Sequence, residues 1–164
     1  MTELTGEKKF AVLCEITRAQ HFAWREAVAK ECPEIATTRV VLKMWSVTGE
    51  QTARAYLKRI HPERPIAPQI AAGIVSSSHC MGEDAVVEDG VGDEAFVRHR
   101  ACPWQKWHER LGLVAEDRPG CDEWFRSTCD TVGAAFGRKI RFETLESLPE
   151  GGSSCLRRIW VERP

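Results

Sequence analysis

The sequence has little that would direct it to a membrane, to secretion or to a nucleic acid. Its first residues, up to Lys9, are polar and lack the apolar segment of a secretory signal. No run of about 18 apolar residues occurs, so no transmembrane helix is predicted. The 23 basic and 24 acidic residues nearly cancel, to a formal net charge of −1, which argues against a nucleic-acid-binding surface. We therefore expect a cytoplasmic protein without nucleic-acid or membrane partners.

The seven cysteines include no CxxC pair, and their number is odd. In a reducing compartment, a complete disulfide framework is not expected from such a set. Each cysteine is then a core residue, a metal ligand or a reactive thiol.

The first 80 of the 164 residues read as mainly helical. Apolar residues recur at steps of three and four from Phe10 to Lys30, and again on either side of Thr48-Gly49, where we predict a break. A third helix is predicted over Ile66–Val75, ending before three serines. The length suits a single domain over residues 1–164.

The second half, residues 81–164, carries strands and helices. Strand patterns occur at 85–88, 94–101, 139–145 and 154–161, each pair joined through turn residues or helices. One helix is predicted to begin at Cys102-Pro103. A loop over Glu116–Gly120 is predicted to lead to another helix from Glu123, with Asp122 as N-cap. The order predicts an α+β fold in which an antiparallel sheet is packed by helices.

Several thiol, imidazole and carboxylate groups are candidates for catalysis. Cys102 has the strongest local case, because unsatisfied N–H groups at the start of a helix stabilise a thiolate. Each candidate has a structural alternative, namely core packing for the cysteines, an ion pair with Arg126 for Asp130 and a solvated helix end for His79. The candidate catalytic residues are Cys102, Cys129, His79, His99 and Asp130.

Other side chains are candidates for holding a small molecule. Strand alternation places Arg157 on the apolar face of the last strand, where a guanidinium could hold a carboxylate. Glu83 could hold an amidinium, and the aromatic residues of the second half could form a slot for a planar ring or simply belong to the core. The candidate binding residues are Trp104, Trp107, Trp124, Arg157 and Glu83.

Zinc is the alternative to a protein without a cofactor. Three thiols of the second half, Cys121, Cys129 and Cys155, could bind zinc together with Glu143 or a histidine. The spacing is not that of a zinc motif, so the pattern is weak.

The motifs of the second half resemble those of a known family. The segment His99-Arg100-Ala101-Cys102-Pro103-Trp104 resembles the Cys-Pro-aromatic signature of the L-2-amino-thiazoline-4-carboxylic acid hydrolase family. Cys121-Asp122-Glu123-Trp124 and Cys129-Asp130 resemble its middle cysteine motif. The run from Phe142 to Gly151, followed by Cys155 and Trp160, resembles its ending. The resemblance covers about the last 90 residues and rests on the order and spacing of the motifs.

The resemblance implies a vinyl-reductase-like α+β ligand pocket and a hydrolase of a C–N bond in a small cyclic amidine or amide that bears a carboxylate. Some related domains hold zinc through cysteines near the C-terminus, where this chain has Ser147 in place of one thiol. A non-catalytic domain that binds or senses a small ligand is the alternative function. The expected partner is a small molecule, with a homodimer as one option.

Overall fold

The computed structural model describes residues 4–162, which form helices followed by strands and helices in alternation. The elements are α1 (Gly6–Glu31), α2 (Thr37–Leu57), α3 (Ile66–Cys80), β1 (Asp84–Asp89), β2 (Glu94–Ala101), α4 (Pro103–Leu111), α5 (Val114–Phe136), β3 (Ile140–Glu146), a 3-10 turn η1 (Leu148–Glu150) and β4 (Cys155–Val161). The described chain divides into two compact units, the first ending at Val41 and the second beginning at Leu42. That the chain is a single domain, as its length predicts, stays a prediction. Within residues 4–162, no helix is both long enough and apolar enough to cross a membrane.

The first unit contains α1 and the first turn of α2. Helix α1 begins after Thr5, whose side chain accepts a hydrogen bond from the Lys8 N–H. It ends where the Cys32 N–H donates to the Val28 carbonyl, directly before Pro33.

The four strands of the second unit form one antiparallel sheet in the order β1-β2-β4-β3. Helix α3 packs on β1 and β2, and α5 packs on β3. Apolar side chains from both layers fill the space between the helices and the sheet, with Ile70, Val97 and Ile159 fully buried. The predicted α+β fold, with a helical first half and an antiparallel sheet packed by helices, is confirmed.

Helix α2 is continuous where the sequence predicts a break. The Thr48 hydroxyl donates to the Met44 carbonyl inside the helix at 2.9 Å. Gly49 is required by packing, because a Cβ there would lie 2.6 Å from the Trp124 carbonyl oxygen of α5. This glycine therefore marks a close helix–helix contact instead of a turn.

The start of α5 also differs from the prediction. The predicted loop over Glu116–Gly120 is helical, so Asp122 lies inside α5 and is not its N-cap. Pro119 lies inside the helix as well. Gly120 packs against α2, since a Cβ there would lie 2.9 Å from Trp45 Cδ1. The Pro-Gly pair resembles a turn in sequence, but the glycine serves a contact between helices.

The close approach at Gly49 gives a test of the second unit's packing. Gly49→Ala should destabilise the protein by roughly 1–3 kcal/mol, because the added methyl group meets backbone atoms of α5 that cannot move aside cheaply. Gly6→Ala is the control, because nothing lies within 4 Å of a Cβ at that helical position. Urea unfolding followed by circular dichroism measures both, and equal midpoints for the two variants would contradict the tight contact.

Candidate functional site

Eight side chains of the second unit form a buried polar cluster beside the sheet. They come from the end of α3 and the turn after it, from β2, from α4 with its N-cap and from α5. Hydrogen bonds and ion contacts join six of them, and the charges of these groups act on the two thiols. The cluster consists of Ser78, Glu83, His99, Cys102, Trp104, His108, Asp117 and Cys121.

Glu83 and His99 form one end of the cluster. His99 Nε2 lies 2.9 Å from the Ser78 hydroxyl and 3.2 Å from Glu83 Oε2. The other carboxylate oxygen of Glu83 accepts a 3.1 Å hydrogen bond from Trp104 Nε1. His99 is only 6% exposed, because β2 places it on the inner face of the sheet. Side chains of β2 and α4 thus fix the direction of one partly buried carboxylate.

Asp117 and His108 form the other end. Both side chains are 5% exposed, and His108 Nδ1 lies 3.1 Å from Asp117 Oδ2. That nitrogen hydrogen-bonds to the Trp104 carbonyl at 3.0 Å, and its contact with Asp117 does not have hydrogen-bond geometry. We regard the pair as a close electrostatic contact, because one proton on Nδ1 cannot serve both acceptors well.

The cluster contains buried polar atoms that the described part of the chain leaves without a hydrogen bond. These atoms are His99 Nδ1 and Asp117 Oδ2. A buried acceptor or donor without a partner costs about 1–3 kcal/mol, so such atoms are rare in folded proteins and call for an explanation.

The thiols of the cluster lie in an environment that disfavours the thiolate. Cys102 is the N-cap of α4, as predicted, and backbone N–H groups of Gln105 and Trp104 lower its pKa. Burial, in the first place, and then the charges of Glu83 and Asp117 outweigh them and raise the pKa of Cys102 to about 12. Burial likewise raises the pKa of Cys121 well above its usual value. The helix start therefore does not activate Cys102.

Arg157 lies beside the cluster and is almost fully buried, which confirms its predicted inward direction. Its Nε lies 3.6 Å from Asp122 Oδ1, which also accepts a hydrogen bond from the Thr144 hydroxyl. Its guanidinium carbon lies 4.8 Å from the centre of the Phe125 ring. A ligand carboxylate would have to compete with Asp122 for this cation.

Aromatic side chains border the cluster on the α2 side. Trp45 and Trp104 meet edge to face, with ring centroids 5.5 Å apart. Gly120 allows Trp45 to approach α5. Trp45 has no motif in the sequence that would single it out, and only the packing of α2 on α5 shows its position.

The other predicted residues lie elsewhere. His79 is exposed, with Nε2 bonded to the Ala85 carbonyl, and Asp130 is exposed on α5. Trp107 stacks under Arg110, and Trp124 packs on the core. Cys129 is a core residue, and its burial raises its pKa to about 12. Of the predicted catalytic residues, the structure brings together only Cys102 and His99, with the predicted binding residues Glu83 and Trp104 and, at the border, Arg157.

The residues of the zinc alternative do not form a ligand set. Within the part of the chain that the structure describes, no group of three or more His, Cys, Asp and Glu side chains is placed to hold a metal ion. Glu143 is exposed and pairs in register with Arg158, on the face of the sheet opposite Arg157, so it cannot join Cys121 and Cys155. Ser147 is buried where the resemblance would expect a thiol.

Sequence reasoning missed Ser78, His108 and Asp117. The serine lies in the polar run before which α3 was predicted to end, whereas the helix continues to Cys80. Asp117 lies in the segment predicted as a loop. Helical spacing could have found His108 and Asp117. His108 follows Trp104 by about one turn, and Cys121 follows Asp117 by about one turn, so each pair shares a helix face.

Comparison with known proteins identifies the fold but not a family. No family model matches the chain, and no curated protein matches it. The chain is similar to a trafficking protein particle complex subunit 3 from Naegleria fowleri covalently bound to palmitic acid, with a TM-score of 0.58 and 12% identity over 93% of this chain and 97% of that one. It is also similar to the phenol-responsive sensory domain of the transcription activator PoxR with phenol, with a TM-score of 0.51 and 14% identity over 88% of this chain and 74% of that one. At these identities the likeness shows the fold alone.

Thiol reactivity tests the electrostatics of the site. At neutral pH in the folded protein, iodoacetamide should modify the exposed Cys80 well before Cys102, Cys121 and Cys129, because the raised pKa values of these three keep them protonated and all three are less exposed than Cys80. Peptide mass spectrometry over time measures each rate. Fast alkylation of Cys102 at neutral pH would contradict the anionic environment that we describe.

Alkaline stability is a second test. The folded pKa of Cys102, about 12, exceeds its ordinary value of 9.0, so the folded protein keeps a proton that the unfolded chain releases. Stability should therefore fall as pH rises from about 9 towards 12, with a slope of up to about 1.4 kcal/mol per pH unit for this thiol. Cys102→Ser should have a shallower decline than the unchanged protein in urea unfolding between pH 8 and 11. Identical slopes would show that the thiol is not held protonated.

Proposed function

We propose that the chain is a small-ligand-binding domain that holds an organic molecule at the buried polar cluster. The observation that supports this best is the pair of buried atoms, His99 Nδ1 and Asp117 Oδ2, that have no hydrogen-bond partner within residues 4–162. Polar groups of a bound molecule would satisfy both.

The free-energy argument favours a ligand over a purely structural role. Leaving a buried polar atom without a hydrogen bond costs about 1–3 kcal/mol, and apolar residues of similar shape would avoid that cost. Folded proteins keep such unfavourable polar groups mainly at functional sites, because a binding site needs groups that can hydrogen-bond to its ligand. His99 is held from its other nitrogen by Ser78 and Glu83, so Nδ1 has a fixed direction.

The surroundings favour a planar, largely apolar molecule. Trp104 contributes its ring next to that of Trp45, and its Nε1 is already used by Glu83. Ligand sites in proteins commonly combine aromatic walls with a few fixed polar groups. The fold is compatible with this role, since the two similar structures are described with palmitic acid and with phenol, respectively.

Hydrolysis is the second proposal, and the contact of Ser78, His99 and Glu83 favours it. The imidazole nitrogen His99 Nε2 lies 2.9 Å from the Ser78 hydroxyl and 3.2 Å from the Glu83 carboxylate, and such a set of groups could move a proton from an attacking water. The raised pKa of Cys102 speaks against the covalent version through that thiol. The resemblance to the L-2-amino-thiazoline-4-carboxylic acid hydrolase family suggests L-2-amino-thiazoline-4-carboxylate as the substrate to test.

Binding is tested by thermal shift of the whole chain with phenol, palmitate and L-2-amino-thiazoline-4-carboxylate. A ligand at about 100 times its Kd adds about 2.7 kcal/mol of stability, which corresponds to a Tm increase of roughly 5–10 °C for a chain of this size. We expect such an increase with a small aromatic ligand, with quenched tryptophan fluorescence and no product by mass spectrometry. Release of a ring-opened product would favour the hydrolase instead.

The control is a pair of histidine variants. His99→Gln should abolish the ligand-induced shift, whereas His61→Gln, which changes an exposed histidine, should retain it. Equal shifts in both variants would place the ligand elsewhere, and no shift with any member of a broad aromatic panel would overturn the proposal.

A further inference from the structure

Helix α1 exposes a set of large apolar side chains. More than half of the large apolar residues that are exposed within residues 4–162 lie in the first unit. Those of α1 are 41–61% exposed, and they are Phe10, Val12, Leu13, Ile16 and Trp24. Single exposed apolar residues are ordinary on protein surfaces, but a contiguous group of them marks a place where something binds. The position of these residues around the helix decides which case applies.

The exposed apolar residues of α1 share one side of the helix. Its buried side chains recur about once per turn in one narrow stripe, and they are Cys14, Arg18 and Phe22. At about 100° per residue, Leu13, Ile16 and Trp24 lie about 120–160° around the helix from Arg18. A surface helix normally turns its apolar stripe inward and its charged residues outward. Helix α1 buries Arg18, which is only 3% exposed, and leaves its apolar side to solvent, where a partner can cover it.

The outer face of α1, which we define by Leu13, Ile16, Ala23, Trp24 and Ala27, is uneven in size. Leu13 and Ile16 fill its N-terminal half, whereas Ala23 and Ala27 leave space beside Trp24 in its C-terminal half. A copy of the helix that runs in the opposite direction places the large side chains against the small ones. A parallel copy would place Leu13 and Ile16 against themselves. Because facing positions pack best when large residues meet small ones, the order of sizes favours an antiparallel copy.

The charges on the outer face follow the same antiparallel order. Gln20 lies at its middle, and Lys9 and Glu31 lie equally far on either side, each about 20° around the helix from Gln20. An antiparallel copy centred on Gln20 brings each Lys9 beside the Glu31 of the other copy. A parallel copy would bring like charges together, which is unfavourable across an interface. Size and charge thus both fit a second copy of this chain.

A lipid surface fits the outer face less well. Helices that lie on membranes combine an apolar face with a polar face rich in Lys and Arg, which attracts anionic lipids. The charged residues of α1 are instead nearly balanced in sign, because its basic residues alternate with Glu7, Glu15, Glu26 and Glu31. The electrostatic attraction of such a helix to a membrane is weak.

We propose that two copies of this chain form a dimer through the outer faces of their α1 helices, which pack antiparallel around a twofold axis near Gln20. The 26 residues of α1 span about 39 Å, or about seven turns, so the contact can extend over several layers of side chains. Such an interface is isologous, and every contact in it occurs twice. The proposal concerns the first unit and is independent of the ligand site.

Sedimentation equilibrium of the full chain tests the proposal. We expect the mass to approach twice the 18.5 kDa of one chain as the concentration rises. Leu13→Glu should weaken the dimer by about hundredfold or more, because a carboxylate enters the apolar contact in both copies. Leu111→Glu is the matched control, since it makes the same change at a 46% exposed leucine of α4, and it should leave the dissociation constant unchanged. Helix content by circular dichroism shows whether each variant is folded.

Charge reversals test the direction of the two helices. Lys9→Glu and Glu31→Lys should each weaken the dimer by roughly fivefold, because two attractive pairs at its ends become repulsive. The double variant should regain the affinity of the unchanged chain, because each pair forms again with its signs exchanged. Unchanged affinity in both single variants would contradict the antiparallel order.

Three results would overturn the proposal. The first is a chain that stays monomeric at every concentration. The second is a dimer that folded Leu13→Glu retains in full, which would place the interface elsewhere. The third is a monomeric chain that cosediments with vesicles of phosphatidylcholine and phosphatidylserine and no longer does so in Leu13→Glu, which would make the outer face a lipid-binding surface.

Discussion

The antiparallel pairing of β2 with β4 is the constraint on which the rest of the second unit depends. Its register sets His99 opposite Cys155 and Val97 opposite Arg157, so an imidazole and a guanidinium reach the inner face of the sheet among apolar neighbours. Because side chains alternate along a strand, a slip of one residue would move every one of them to the opposite face. Polar groups of α3 and α5 can then be buried only where they meet polar groups on this inner face.

Burial, more than helix position, decides the chemistry of the site. The start of a helix stabilises a nearby anion by about 0.3–1 kcal/mol, which is small beside the cost of burying a thiolate near two carboxylates. The structure therefore keeps Cys102 protonated although its position as N-cap would suggest activation. The same balance explains why Arg157 is matched by Asp122 inside the protein and is not a free anchor for a carboxylate.

Local patterns predicted the elements well and the contacts poorly. The alternation of β4 correctly placed Arg157 inward, and Pro103 correctly marked the start of α4 after Cys102. The break predicted at Gly49 and the loop predicted up to Gly120 were wrong. Each glycine resembles a helix break in sequence, but each allows two helices to approach closely. A glycine at a helix contact and a glycine in a turn have the same local signature, and only the opposing surface distinguishes them.

The sequence by itself determined the α+β class, the order of helices and strands, the inward face of β4 and the candidacy of Cys102, His99, Glu83, Trp104 and Arg157. These features depend on periodicity and on residues close along the chain, which fix backbone conformation locally. Only the tertiary structure decided that Asp117 and His108 join them, that Cys129 and His79 do not, and that two buried atoms of the cluster lack a hydrogen bond. Those outcomes depend on contacts between residues far apart in sequence, and the free energy of burial, hydrogen bonding and charge is settled only where such residues meet.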